Sequence, residues 1–190
     1  MIYRKNTQWL LLAVILALAA PQFARAQKWP EDDRSLAPFV PTPQDVVDKM
    51  LEIADVKKGD MVYDLGCGDG RIVITAAQKF GAQSTGVELD GDIYKETADR
   101  VHKMGLDDRV KVIHGNALET DLSKATVVTL YLLTVSNSKL KPNLEKYLKN
   151  GTRVVSHDFQ VMGWKAARVE KMARDAREHT IYLYVIGKNK

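Results

Sequence analysis

The residues best suited to chemistry lie in one stretch, Val62-Tyr63-Asp64-Leu65-Gly66-Cys67-Gly68-Asp69-Gly70-Arg71. Glycines at 66, 68 and 70 let the backbone turn sharply and pass close to a ligand. One acid, Asp64, stands two places before the first glycine. Another, Glu88, follows the turn by about 20 residues, the spacing of a carboxylate that grips ribose hydroxyls in nucleotide-binding α/β units. The pattern is G-x-G-x-G, and Arg71 takes the third-glycine place of the dinucleotide fingerprint G-x-G-x-x-G, which disfavours packing on a pyrophosphate. Turn and acids together fit an adenosyl ligand with an amino-acid end. The glycines alone would equally serve a tight strand-to-helix connection, with Cys67 as filler whose thiol a helix N-terminus could activate.

These residues need a scaffold, and the chain supplies alternating strand and helix patterns. Thr42 reads as an N-cap with Pro43 at the first helical position. Val46, Val47, Met50, Leu51 and Ala54 then fall at helical spacing. Strands are expected at 61–65, 84–89, 110–114, 126–132 and 153–156, and helices at 71–80, 92–104 and 142–149. Two further strands are expected in the tail, at 167–172 and 180–186. Regular alternation implies a mostly parallel, doubly wound sheet whose ligand sits at the carboxyl ends of the strands, where strand order reverses.

Tyr131 closes the fourth strand and Asp158 follows the fifth beside His157, so all three should reach that same edge. Tyr131 reads equally as a proton-transfer group or a packing aromatic, and Asp158 equally as a proton acceptor or a cap. Strand alternation would turn His157 away from Asp158 and make it a structural histidine. None has partners at metal-ligand spacing, so no metal site is expected. Trp164 should pack under the loop after the fifth strand, and Lys139, Lys141, Lys146 and Lys149 form a solvated face.

The length of 190 residues suits one domain. Residues 1–26 read as a targeting segment: Arg4 and Lys5, an apolar run from Trp9 to Ala20, Pro21, then Ala24-Arg25-Ala26 as a cleavage site. That run is short of the roughly 20 residues that span a bilayer. A cleaved export signal is the first reading, with an uncleaved membrane anchor and a mitochondrial presequence as alternatives. Residues 27–40 form a polar arm that includes Trp29, and 41–190 the catalytic domain. Of the 28 basic residues three lie before position 27, which leaves 25 against 24 acidic ones. That near-neutral balance lacks the basic stripe of a nucleic-acid binder. A single cysteine excludes a disulfide framework.

Val62–Arg71 and Gly86-Val87-Glu88-Leu89-Asp90 resemble the first two motifs of class I S-adenosylmethionine (SAM) methyltransferases. The resemblance implies a Rossmann-like seven-stranded sheet finished by a C-terminal antiparallel hairpin. It places Asp64 and the backbone of Gly66, Cys67, Gly68 and Gly70 against the methionine part of SAM, Glu88 on the ribose and Leu89 on the adenine. Asn116 and Ala117 match the segment that meets the adenine edge, where many members carry Asp in place of Asn116. Phe39-Val40-Pro41-Thr42-Pro43, Thr129-Leu130-Tyr131-Leu132-Leu133, Ser156-His157-Asp158-Phe159 and Ile181-Tyr182-Leu183-Tyr184 are similar to a narrower bacterial group. That group resembles the mitochondrial lysine methyltransferases of the adenine nucleotide carrier and the ATP synthase c subunit. It implies Thr42 at the cofactor, an arm closing over SAM, a protein lysine as acceptor, and Tyr131 and Asp158 as catalytic residues. A SAM-binding protein without turnover, a methyltransferase of small molecules and a nucleotide-dependent oxidoreductase stand as alternatives.

Overall fold

The computed structural model describes residues 34–174 and 176–190. The targeting segment, the first half of the arm and Trp29 lie outside them. One seven-stranded sheet runs through the domain in the order β3-β2-β1-β4-β5-β7-β6. Its strands are β1 (Met61–Leu65), β2 (Gln83–Glu88), β3 (Val110–His114), β4 (Val127–Leu130), β5 (Arg153–His157), β6 (Arg168–Arg174) and β7 (Arg177–Val185). The first five are parallel; β7 runs antiparallel to β5, and β6 antiparallel to β7. Helices α1 (Gln44–Ile53), α2 (Arg71–Phe80), α3 (Gly91–Lys103) and α4 (Thr134–Tyr147) cover the faces.

Alternation within the strands divides the core. Val62, Val127 and Val155 turn towards α1 and α2, where Val46, Val47, Met50 and Ile72 complete one cluster. Val128, Leu130 and Val154 face the other way and pack with Leu140 and Leu144 of α4. Strand β4 is buried along its whole length, as a both-faces-covered central strand must be. Strand order reverses around β1, which has β2 on one side and β4 on the other. The carboxyl ends of β1 and β4 therefore border the crevice expected to hold a ligand.

Three expectations needed correction. Thr42 is not the N-cap of α1: Pro43 holds that place, and the Thr42 hydroxyl lies 3.5 Å from His157 Nδ1. Helix α4 begins at Thr134 rather than 142 and carries Pro142 inside it. Pro142 gives up a backbone donor there, while Ser136, Asn137, Leu140 and Leu144 are buried on one side of the helix. The polar run Thr134–Lys139 hid that face. The fourth strand is also shorter than 126–132, because Tyr131 and Leu132 leave the ladder to line the crevice.

Opposite the ligand edge, Asp60 ties the sheet together. Its carboxylate accepts the Lys57 amide at 2.9 Å and the Thr126 hydroxyl at 2.7 Å, and pairs with Arg153. Burial opposes its ionisation, but those hydrogen bonds and the Arg153 charge prevail and hold it below the usual carboxylate range. Its stabilising contribution is therefore present above about pH 4 and is lost as pH falls through the lowered value. Asp60→Ala leaves Arg153 without its carboxylate partner and is expected to cost roughly 3–5 kcal/mol. Urea denaturation at neutral pH checks this, and the gap between wild type and variant should narrow in acid.

Candidate active site

The crevice is a cleft of about 630 Å³ above the carboxyl ends of β1, β2 and β4. Its floor is the glycine turn. The amides of Gly66 and Cys67 both donate to Val87 O, at 2.9 and 3.0 Å, so the turn hangs from the end of β2. Gly68 N donates to Glu88 Oε2 at 2.8 Å, and Thr97 Oγ1 of α3 donates to Gly68 O at 2.7 Å. Gly66 and Gly68 have left-handed backbone (φ 79° and 52°), which favours glycine at both. A Cβ at Gly68 would also lie 2.4 Å from the Phe39 ring.

Asp64, Gly66, Cys67 and Gly68 line the cleft, as do Glu88 and Leu89 from the end of β2. Asn116, Ala117 and Thr42 line it from their own segments. Gly70 does not. It caps α2 in a left-handed conformation, and a Cβ there would come within 2.6 Å of Thr97 Cγ2. Its missing Cβ lets α3 pack closely against the start of α2. Asn116 spends its amide oxygen on the Leu118 amide and its amide nitrogen on Glu119, capping a 3₁₀ turn (Ala117–Glu119). Cys67 is buried beneath Gly86, and burial, with Asp64 and Glu88 nearby, drives its thiol pKa far up. It is turn filler, not a nucleophile.

The electrostatics suit a cation. Asp64 is fully buried, with Oδ1 accepting the Thr129 hydroxyl at 2.6 Å. Burial raises its pKa to about 7; Thr129 opposes that rise, while the charges of Glu88 and Asp69 add to it. Asp69 is matched instead by Arg71, whose Nε lies 2.9 Å from Oδ1, and by Arg100. Arg71 also donates to Thr42 O at 2.6 Å, tying the arm to the turn. The described part of that arm lies across the cleft: Leu36, Pro38 and Phe39 line it, and Ser136 Oγ donates to Leu36 O.

One wall is built from four distant segments. Tyr131 lines the cleft, with its ring 4.0 Å from that of His157 (centroid to centroid). His157 Nε2 and His179 Nδ1 are 2.8 Å apart. Burial lowers the His157 pKa to about 4, with Asp158 opposing and His179 and Arg177 assisting. Asp158 itself does not line the cleft. Its φ of 59° swings the chain out of the strand alternation and turns the carboxylate back towards His157, at 3.4 Å. Oδ1 accepts the Thr180 amide at 2.9 Å and Oδ2 the Arg177 guanidinium at 2.6 Å. Of its two readings, proton acceptor or cap, the second fits this geometry: outside the cleft lining, Asp158 accepts the Thr180 amide and pairs with Arg177. His157, Asp158 and His179 bring three ligand-type atoms within 4.8 Å. Arg177 answers the carboxylate and the two rings answer each other, so each has a partner within the cluster.

Sequence reasoning did not single out Thr97, Arg177 or His179. Thr97 is a polar residue in the middle of a helix, and the other two sit in a tail strand whose antiparallel return brings its start to the ligand edge. Only a register for β5 and β7 could have revealed them.

A reversal of strand order, a glycine turn clamped by the second strand's acid and a buried carboxylate suited to a cation define a SAM-dependent methyltransferase of the class I type. Residues 64–168 match the ANTKMT methyltransferase domain, and the chain belongs to that family. It is 52% identical over 154 residues to a protein-lysine N-methyltransferase of Saccharolobus islandicus, covering 80% of this chain and 96% of that one. The human ATP synthase c-subunit lysine N-methyltransferase is 26% identical over 153 residues, covering 80% of this chain and 63% of that one. Among solved structures, an RNA methyltransferase from Salinibacter ruber in complex with S-adenosyl-L-homocysteine is 46% identical with a TM-score of 0.73. That match covers 80% of this chain and 96% of the other.

S-adenosylmethionine, a cation at its sulfonium and its amine, is the cofactor. A cation beside Asp64 favours the ionised form, so binding should release a proton while Asp64 is still partly protonated. Affinity should rise as pH climbs towards and through about 7 and then level off. Calorimetry in buffers of different ionisation enthalpy should show the released proton near pH 6.5, and Asp64→Asn should abolish the release. A wild-type protein that binds SAM with no proton release across this range would contradict the buried-carboxylate assignment.

Proposed function

We propose that this chain transfers the methyl group of SAM to the ε-amine of a protein lysine. The observation that carries the reading is the placement of Tyr131: it lines the same cleft as the glycine turn and is held from behind by His157. The similarity to the Saccharolobus enzyme over nearly its full length supports lysine as the acceptor.

Methyl transfer from a sulfonium is an in-line displacement. The amine lone pair forms the new N–C bond, the S–C electrons return to sulfur, and the methylated ammonium then sheds a proton. SAM supplies the reactive methyl, while the protein aligns the partners and excludes water. The carboxylate of Glu88 has donors from Gly68 and Asp90 and retains lone pairs for the ribose hydroxyls. Leu89 and Ala117 offer apolar surface at the same end of the cleft. Tyr131 Oη is suited to accept an amine N–H, which leaves the nitrogen lone pair free for the methyl carbon. Burial raises the Tyr131 pKa, and Asp158 adds to that while Arg177 opposes it, so the hydroxyl enters the reaction neutral. A solvated lysine amine titrates at about 10.4 and must lose its proton first. The arm over the cleft provides the dry surroundings that favour the loss.

Purified protein incubated with methyl-labelled SAM and a cell extract should place label on lysine, identified by amino-acid analysis. The rate should rise with pH as the amine deprotonates. Tyr131→Phe should slow transfer by about 10²–10⁴ if the hydroxyl handles a proton, with little change in SAM affinity. Label confined to RNA, the acceptor class in the Salinibacter protein's name, or to small molecules would refute the lysine reading and leave the methyltransferase intact. The near-neutral charge of residues 27–190 favours a protein acceptor over RNA.

The first 26 residues support export with cleavage after Ala26. N-terminal sequencing of the native protein tests that, and a chain starting at Met1 in the soluble cytosol would overturn it.

A further inference from the structure

The antiparallel return of β7 along β5 brings His179 beside His157 and Asp158, at the edge behind Tyr131. Three side chains of metal-ligand type converge there. His157 Nε2 lies 2.8 Å from His179 Nδ1, and Asp158 Oδ2 lies 3.4 Å from the first and 3.5 Å from the second. It is the one such group of three among the described residues. Spacing along the chain gives no sign of it, because the residues meet only through strand pairing. Imidazole and carboxylate hold zinc at about 2.0–2.2 Å, which sets neighbouring ligand atoms about 2.8–3.1 Å apart at right angles and about 3.3–3.6 Å apart at tetrahedral angles. By distance, one ion reaches all three atoms with the side chains where they stand.

The donors are also held in place. Asp158 Oδ1 accepts the Thr180 amide at 2.9 Å, which turns Oδ2 towards the rings. His157 Nδ1 faces Thr42 Oγ1 at 3.5 Å, the kind of outer contact that orients a ligating imidazole. Burial keeps the His157 ring neutral at neutral pH, the form that binds a metal.

We propose that His157, Asp158 and His179 form a site for a divalent transition-metal ion of the zinc type. Two imidazoles and a carboxylate suit such an ion better than magnesium or calcium, which favour all-oxygen sites. The two rings hydrogen-bond each other, and Arg177 donates to Asp158 Oδ2 at 2.6 Å. Coordination replaces the first contact: the ring that donates carries its proton on its other nitrogen instead. It competes with the second, since both cations claim one carboxylate oxygen. Arg177 can yield, because its side chain is 56% exposed. The ion ties the end of β5 to the start of β7 and fixes the His157 ring, which lies 4.0 Å from that of Tyr131. None of this depends on which acceptor is methylated.

The test uses untagged full-length protein, stripped of metal and titrated with zinc against a chromophoric chelator. Wild type should bind one zinc per chain and melt at a higher temperature with zinc present, because an ion bound only by the folded state stabilises it. His179→Ala and Asp158→Asn should each weaken zinc by more than the roughly ten- to hundredfold that loss of an outer-shell partner costs. SAM affinity, measured alongside, shows that each variant is folded. Arg177→Met removes the competing cation from an exposed position and should tighten zinc binding severalfold, a gain that no loss of folding can mimic. Wild type that fails to compete with the chelator at micromolar zinc would overturn the proposal. So would zinc binding that survives His179→Ala, as binding by the exposed His102 would, or zinc binding weakened in Arg177→Met.

Discussion

The Gly68 amide donates to the Glu88 carboxylate at 2.8 Å, and through that bond the end of β2 fixes the turn that follows β1. The parallel register brings Leu65 beside Val87, so Gly66 and Cys67 find Val87 O and Gly68 finds Glu88. Thr97 closes the turn from α3. The same carboxylate therefore shapes the turn that floors the cleft. A carboxylate has about four lone-pair sites, and two are committed to Gly68 and Asp90. Glu88 also lines the cleft, beside the turn that it holds. Gly86 belongs to this arrangement too, since a Cβ there would collide with Cys67 Sγ at 2.6 Å.

The acceptor side works by a different logic. The cofactor half is built within one βαβ unit, from residues close in sequence. The Tyr131 wall draws on the end of the arm, β4, the residues after β5 and the start of β7. Thr42, His157, His179 and Asp158 form a polar cluster behind the Tyr131 ring, and Arg177 pairs with Asp158 at its edge. Such a cluster stays fixed only while its members satisfy one another. The left-handed backbone of Asp158 fits this view, as strain of that kind persists where its surroundings demand it. The arm then joins the two halves, with Arg71 holding Thr42 beside the turn and Phe39 lying over Gly68.

How much of this was legible in the sequence follows the same division. The parallel core, the antiparallel C-terminal strands and the meeting of Asp64, the glycine turn and Glu88 in one cleft could be read because glycine spacing, β-branched runs and the Asp64–Glu88 interval are local patterns. Gly70 lies outside the cleft lining, which its spacing does not reveal, because left-handed glycines look alike in sequence whether a ligand or a neighbouring Thr97 crowds them. Helix α4 was misplaced because Asn137, buried and donating to Phe159 O and Gln160 O, looks like a loop residue until those partners are known. Asp158 was located at the right edge, but its orientation depended on one positive φ that no alternation rule foresees. Arg177 and His179 were invisible because their meaning lies in the pairing of β5 with β7.

Glu88 and the glycine turn should together fix SAM so that its methyl group points at Tyr131. A crystal structure of the protein with S-adenosylhomocysteine tests this most directly. That placement requires Glu88 oxygens within hydrogen-bond distance of both ribose hydroxyls. It also requires the sulfur to lie beside the Gly66–Gly68 backbone, with its open face towards the Tyr131 hydroxyl. A ribose held elsewhere, or a sulfur whose open face looks away from Tyr131, would contradict it.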